Sequence, residues 1–253
     1  MLKTPKSFTM PLPSSLKVTV AGGSTVIGND FWKEILSITL LSLRVSGTAV
    51  SIGALIGVPL GVILGFSQFK GKRTLIRFVD VMLKSVVNTF MGLPPVVVGL
   101  LVYLLLTTSG PLGWLGLLYT PTAMIITQLI MGIPIIVGVT MSAIGSVEKA
   151  IRERALSLGA TETQAAWLVL KEARMGVLTS IIVAFGAAIS EVGGIMITGG
   201  NIRWWTRTLT TAIVVETGLG NFDMALTLGA ILLSMAFIIN LALTILQLKG
   251  ERR

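Results

Sequence analysis

Between Ser85 and Val147 the chain runs for 63 residues without one Asp, Glu, Lys or Arg. Soluble domains carry roughly a quarter charged residues, whereas this chain has 12% in all, with 53% hydrophobic side chains and a mean hydropathy of +0.89. Only hydrocarbon solvates so long an uncharged stretch, and there each backbone N–H and C=O must be satisfied within the segment, which selects helices. The chain therefore reads as an all-α integral membrane protein. Turn chemistry at Ser109-Gly110-Pro111-Leu112-Gly113 and Thr120-Pro121 divides the uncharged block into two spans, a helical hairpin. Cutting at the charges gives five spans in all, near residues 45–69, 85–107, 121–147, 177–200 and 224–248. Each is long enough to cross a core of ~30 Å at ~1.5 Å per residue.

The chain has no Cys and no His. That removes disulfides, thiolate or imidazole metal ligands and every nucleophile that leans on an imidazole base, so neither a catalytic nor a metal site is expected. The net charge of +9 does not indicate nucleic acid, because the basic residues form short clusters between apolar runs rather than one stripe. Lys70, Lys72, Arg73, Arg77 and Lys84 follow the first span; Lys149, Arg152, Arg154, Lys171 and Arg174 follow the third; Lys249, Arg252 and Arg253 form the tail. The opposite connections hold only Arg203 and Arg207. The excess of Lys and Arg faces the cytoplasm, which predicts the N-terminus outside and the C-terminus inside. Trp32, Trp114, Trp204 and Trp205 then sit at the outer ends of spans, where indole rings suit headgroups. Residues 1–30 have no helical period and read as a poorly ordered lead, and residues 31–43 as an interfacial helix entering the first span.

Gly53, Gly57, Gly61 and Gly65 form an i, i+4 ridge that lets another helix approach closely, either within the subunit or from a second copy. Pro59, Gly92-Leu93-Pro94-Pro95 and Gly132-Ile133-Pro134 are helix breakers inside spans. Backbone interruptions at membrane depth are tolerated where protein or a water-lined cavity satisfies them, as around transport paths. Glu191 is the one acid well inside a span, beside Ser190, and must face protein or water. It either holds a helix junction through backbone hydrogen bonds or gates a pathway. Beyond it, Asn201 begins a segment with Arg203 and Arg207, which would share a face if helical. They anchor the interface or draw an oxyanion to an external mouth.

Residues 146–174 are too charged to cross a bilayer, yet Ile151, Ala155 and Leu158 keep helical spacing. Gly159 terminates this helix, and Thr161-Glu162-Thr163-Gln164 has the form of a capping box that opens a second short helix. A helix, tight turn and helix should protrude into the cytoplasm as a lever.

This segment resembles the Glu-Ala-Ala-x3-Gly-x9-Ile-x-Leu-Pro signature of permease subunits of ATP-binding-cassette importers. It stands here as Glu153-Arg154-Ala155, Gly159 and Val169, with Lys171-Glu172 in place of the final Leu-Pro. The resemblance extends over about residues 36–248. Ser42-Leu43-Arg44-Val45-Ser46 with Gly57-Val58-Pro59-Leu60-Gly61, and Ser190-Glu191-Val192-Gly193 with Gly200-Asn201, are similar to molybdate, sulfate and tungstate permeases. The stretches 208–213 and 225–228 are most similar to the tungstate branch.

The resemblance implies a methionine/molybdate permease-like fold over residues 31–248, a cytoplasmic tail at 249–253 and a plasma-membrane location. It also implies a homodimer with the path between subunits, a cytoplasmic ATPase dimer and an extracytoplasmic tungstate-binding protein. ATP and Mg would sit on the ATPase, since Gly65 to Gly71-Lys72-Arg73 lacks both the spacing and the Ser/Thr of a phosphate-binding loop. Glu153, Ala155, Gly159, Thr161, Glu162, Gln164 and Ala165 would couple to that ATPase. Ser190, Glu191, Asn201, Arg203 and Arg207 would line or gate the path. Molybdate, sulfate or another small anion are alternative substrates. A secondary transporter would need more than one buried carboxylate and an inverted repeat, and an intramembrane hydrolase would need a Lys inside a span.

Overall fold

The computed structural model describes residues 29–67 and 74–251. The predicted lead over residues 1–30 falls almost wholly outside these residues, as do Lys70, Lys72, Arg73, Arg252 and Arg253. The helices are α1 (Asn29–Ser67), α2 (Thr74–Met91), α3 (Pro95–Leu106), α4 (Pro121–Ser157), α5 (Glu162–Ser190), α6 (Gly193–Gly199), α7 (Leu209–Gly218) and α8 (Phe222–Glu251). A short 3-10 turn, Gly113–Leu115, lies between α3 and α4. Among the described residues four helices are long and apolar enough to span a membrane, and a bent pair adds a fifth when it is taken as one span.

α1 and α4, with 39 and 37 residues, would each measure about 55–58 Å at ~1.5 Å per residue. Each therefore exceeds a ~30 Å hydrocarbon core. The predicted interfacial helix at 31–43 is accordingly no separate element, because α1 passes through it unbroken. Likewise, the first helix of the predicted lever is the end of α4, and the second is the beginning of the 29-residue α5 rather than a short helix.

The glycine ridge of α1 faces α4 of the same chain. A Cβ at Gly57 would stand 2.9 Å from Ile136 Cγ2, at Gly61 2.6 Å from Thr140 Cβ, and at Gly65 2.7 Å from Ile144 Cβ. Ile136, Thr140 and Ile144 are themselves spaced i, i+4, i+8, so one ridge of α4 fills the groove left by the missing side chains. All three are fully buried. Packing without a hydrophobic driving force depends on this contact.

The breakers divide by mechanism. Pro94 and Pro95 remove two successive donors and force Pro94 to extended backbone (ψ 126°), so the second span splits into α2 and α3 at a 94° bend. Pro59 and Pro134 remain inside continuous helices, contrary to the reading of Gly132-Ile133-Pro134 as an interruption. A single proline on a helix packed along its length is accommodated by its neighbours.

The fourth span is not continuous to Gly200, as the sequence suggests. It breaks at Glu191-Val192 and resumes as α6. Here the two broken spans meet: a Cβ at Gly99 of α3 would lie 2.6 Å from the Gly194 Cα of α6, and one at Gly194 2.9 Å from the Pro95 carbonyl. Buried hydroxyl and amide bonds tie the rest to α4. Thr127 Oγ1 donates to Thr198 Oγ1 (3.1 Å), Thr140 Oγ1 to Ser180 Oγ (3.0 Å), and Gln128 Nε2 to the Ala188 carbonyl (2.7 Å).

Gly61→Val is expected to destabilise the protein by about 1–3 kcal/mol through overpacking against Thr140 and the Val137 carbonyl. Gly47→Ala, with nothing within 4 Å of the new methyl, should be neutral or gain up to about 1 kcal/mol of helix propensity. Thermal unfolding in detergent followed by size-exclusion chromatography reads the contrast, and equal effects would contradict the ridge packing.

Candidate functional site

The predicted coupling residues occupy the turn between α4 and α5. α4 closes with Gly159 in the left-handed region (φ +86°), the Gly159 N–H bonded to the Leu156 carbonyl and the Ala160 N–H to the Ala155 carbonyl, both at 3.0 Å. This is a Schellman cap, in which glycine avoids the strain a Cβ would bring. α5 opens with the anticipated capping box: Thr161 Oγ1 accepts from the Gln164 N–H at 3.4 Å, and Gln164 Oε1 from the Thr161 N–H at 2.8 Å. Across the turn, Arg152 Nη2 donates to both Glu162 oxygens at 2.7 Å and Nε to Oε2 at 3.1 Å.

Beneath the turn, Ala155 and Ala165 are buried, and Ile144, Val169 and Ala173 form a core with Ile151 and Leu170. Glu153 is exposed. Leu158, assigned by its spacing to the packed face, is 87% exposed because it caps the helix instead. With Trp167 and Leu168, also exposed, it gives the hairpin tip an apolar surface rimmed by charge.

The second group of predicted residues does not form one cluster. Ser190 Oγ donates to the carbonyl of Gly186 on its own helix, at 2.7 Å. Glu191 is buried in the α5–α6 break, where Oε1 accepts from the Gly194 N–H at 2.9 Å and its own carbonyl accepts from Thr210 Oγ1 at 2.7 Å. A carboxylate at the N-terminal end of a helix is favoured by the exposed amides and their dipole. Of the two roles open to Glu191, this geometry is that of the junction. α6 then separates it by about 10 Å of helix from Asn201, whose Oδ1 is buried without a hydrogen-bond partner.

Residues 201–207 form turns rather than a helix, so Arg203 and Arg207 share no helix face. They converge instead on Glu34 of α1, which is only 7% exposed. Arg203 Nε donates to Glu34 Oε1 at 2.7 Å and its Nη2 reaches Oε2. Arg207 Nη1 lies 3.6 Å from Glu34 Oε1 and 3.3 Å from Glu216 Oε1 of α7. Asn221 Nδ2 holds the other Glu216 oxygen at 2.9 Å. The hydrogen bond that Arg203 donates to Glu34 raises its pKa further above its already high ordinary value, so this cation keeps its charge.

The two guanidiniums are thus matched by two carboxylates, which argues for a structural tie between α1, the segment after α6 and α7 rather than an anion trap. The guanidinium of Arg203 stacks 5.8 Å above the Trp204 ring, and Trp205 Nε1 donates to the Tyr119 carbonyl at 3.0 Å. Glu34 and Glu216 are not among the residues that the sequence pattern singles out. An acid one turn inside an apolar helix, in a chain with few acids, is the signal that points to Glu34.

Glu34→Gln should lower stability by about 3 kcal/mol, since it leaves buried Arg207 short of one carboxylate. Arg203→Gln should cost less, about 1–2 kcal/mol, because the Arg203 side chain is 59% exposed and Glu34 keeps Arg207 within 3.6 Å. Thermal unfolding of the two variants in detergent ranks them, and the reverse order would contradict this description.

Comparison with known proteins places this geometry. The chain is 46% identical over 211 residues to a probable anion ABC transporter permease protein of Haloferax volcanii, covering 81% of this chain and 88% of that protein. It is 38% identical over 218 residues to the tungstate uptake system permease protein TupB of Peptoclostridium acidaminophilum, covering 86% and 92%. For TupB of Campylobacter jejuni the identity is 35% over 175 residues, covering 69% and 70%. An inward-facing structure of the MetNI methionine ABC transporter shares the fold at a TM-score of 0.70 and 16% identity, over 88% of this chain and 99% of that one. Residues 57–253 match the family described as binding-protein-dependent transport system inner membrane component. With its spans, its broken helices and its capped hairpin, the chain belongs to that family and is a multi-pass inner-membrane permease.

Proposed function

We propose that this chain is the membrane-spanning subunit of an ATP-driven importer for an oxyanion, and that the oxyanion is tungstate. The carrying observation is the 35–38% identity to two tungstate uptake permeases. The probable anion permease supports the broader class. Two copies of the chain enclose the path, an extracytoplasmic binding protein delivers tungstate, and a separate ATPase dimer holds ATP and Mg. The Arg152–Glu162 hairpin faces the cytoplasm and the Trp204–Trp205 end faces outward, as the Lys and Arg distribution favours.

The α4–α5 hairpin is the coupling element in this reading. Leu158, Trp167 and Leu168 offer an apolar tip for a cleft on the ATPase. The cap, the capping box and the Arg152–Glu162 pair make the tip rigid enough to transmit a push. ATP binding draws the two ATPase subunits together, the hairpins follow, and α4 and α5 rock as rods so that the path opens outward. Hydrolysis resets it. Tungstate and molybdate differ little in size and charge, so discrimination resides mainly in the binding protein.

Co-purification with an ATPase and a binding protein, followed by ATP hydrolysis in liposomes, tests the reading. Hydrolysis should rise when the binding protein is loaded with tungstate. A response to molybdate or sulfate alone would retain the class and replace the substrate. Gly159→Pro, which imposes φ near −65° where the chain has +86°, and Glu153→Lys should both abolish coupled uptake while the protein still inserts and folds. Normal uptake in both variants would remove the hairpin from the mechanism.

A further inference from the structure

A cavity of about 480 Å³ opens between α2, α4 and α5, lined by Asn88, Ser142, Ser146 and Thr179 and by Gly138 and Gly176. It is well above the ~30 Å³ share of one water and within the ~300–1,000 Å³ of small-molecule sites. Its polar residues all belong to segments apolar enough to span the membrane: Asn88 to Val81–Met91, Ser142 and Ser146 to Pro121–Val147, and Thr179 to Glu162–Ser190. The cavity holds none of the residues discussed above as gate candidates.

The hydrogen-bonding state of these four groups is uneven. Ser146 Oγ donates to the Ala143 carbonyl at 2.9 Å. Thr179 Oγ1 donates to the Met175 carbonyl at 2.9 Å and accepts from Gln247 Nε2 at 2.7 Å. Asn88 and Ser142 are exposed, and their side chains bond to no described residue. An amide and a hydroxyl at membrane depth cannot leave their donors in hydrocarbon without penalty. Water or a polar ligand against this face would satisfy them.

Its chemistry fits an acceptor-only ligand. Asn88 Nδ2 and Ser142 Oγ offer N–H and O–H donors, and among the described residues no Lys or Arg lines the cavity. Neutral donors already make charge-assisted bonds to a dianion, and a fixed guanidinium would add ion-pair attraction and a bidentate fork to them and hold the dianion more tightly. A passage needs contacts favourable enough to admit an ion and weak enough to release it. We propose that Asn88 and Ser142, backed by Ser146 and Thr179, form a low-affinity oxyanion station on the translocation path, built from neutral donors. The proposal rests on the anion-permease reading.

The absence of native cysteine gives a direct test. In the assembled transporter in liposomes, Ser142→Cys should react with a charged, water-soluble thiol reagent many times faster than Phe237→Cys, a control on the exposed face of α8. Added tungstate should slow that reaction, and sodium chloride at equal ionic strength should not. Reaction no faster than the control would mean that lipid or a second copy covers the face, and would overturn the proposal, as would indifference to tungstate.

Transport supplies the second readout. Asn88→Leu with Ser142→Ala should reduce tungstate moved per ATP by about 10-fold or more, the effect of losing at least one hydrogen bond to a charged ligand. Asn88→Gln with Ser142→Thr should restore it, and an unchanged ratio in the Leu/Ala variant would overturn the station. No uptake of tungstate, molybdate or sulfate by the unsubstituted assembly would instead overturn the anion-permease reading, while the contrast between positions 142 and 237 would still report whether the cavity is wet.

Discussion

The seam between α1 and α4 carries the rest of the structure. In a lipid solvent two apolar helices gain little by hiding side chains from the tails, so they stay together only where their backbones come close enough for dense dispersion contact. Four glycines on α1 make that approach possible, and Ile136, Thr140 and Ile144 occupy the space they vacate. α4, fixed in this way, becomes the axis of the subunit. Thr127 and Gln128 hold α6 and the end of α5, while Thr140 holds the middle of α5 through Ser180. Each of these links pairs a buried donor with an acceptor, the condition for burying it, while Gln128 Oε1 is left without a partner.

A continuous axis has a mechanical consequence. α4 runs without a break from the turn at Thr120 to the Schellman cap at Gly159. A force applied at the hairpin is thus delivered along a rod to the depth of the cavity and beyond. The opposite end is tied by charge, where Glu34 of α1 gathers Arg203 and Arg207, and Arg207 in turn reaches Glu216. Between the two ends lie the broken spans, where α3 and α6 cross at Gly99 and Gly194 and Glu191 satisfies an amide that the break exposes. The interruptions are thus covered by protein, which is what allows irregular backbone at that depth.

How much of this was legible depended on the range of the physics involved. The cap at Gly159 and the box at Thr161 and Gln164 are set within a few residues, and both form where the spacing put them. The tandem prolines at Pro94 and Pro95 act locally through missing donors, and they bend the second span as expected. Gly132-Ile133-Pro134 carried a similar local signal and was misleading, because α1 packs along that stretch of α4. The break at Glu191-Val192 was legible only as one of two alternatives for Glu191, a helix junction inside a span drawn as continuous, since it depends on how closely α3 approaches. Arg203 and Arg207 looked like a pair on one helix, yet their partner lies 169 residues away in Glu34. The uncharged block was conspicuous for the charges it lacks, and Asn88 and Ser142 within it drew no notice.

By itself the sequence determined that the chain lives in a membrane, roughly where it crosses, where the α4–α5 hairpin turns and which family pattern it carries. Those properties follow from hydropathy, from caps and from prolines, all of which act over one or two helical turns. Only the tertiary structure decided that the glycine ridge serves α4 within the chain, that two arginines are neutralised by α1 and α7, and that Glu191 closes a helix break. It alone also placed two unpaired donors in one cavity. Each of these depends on which distant helix supplies the facing atom, and nothing in the local order of residues encodes that choice of neighbour.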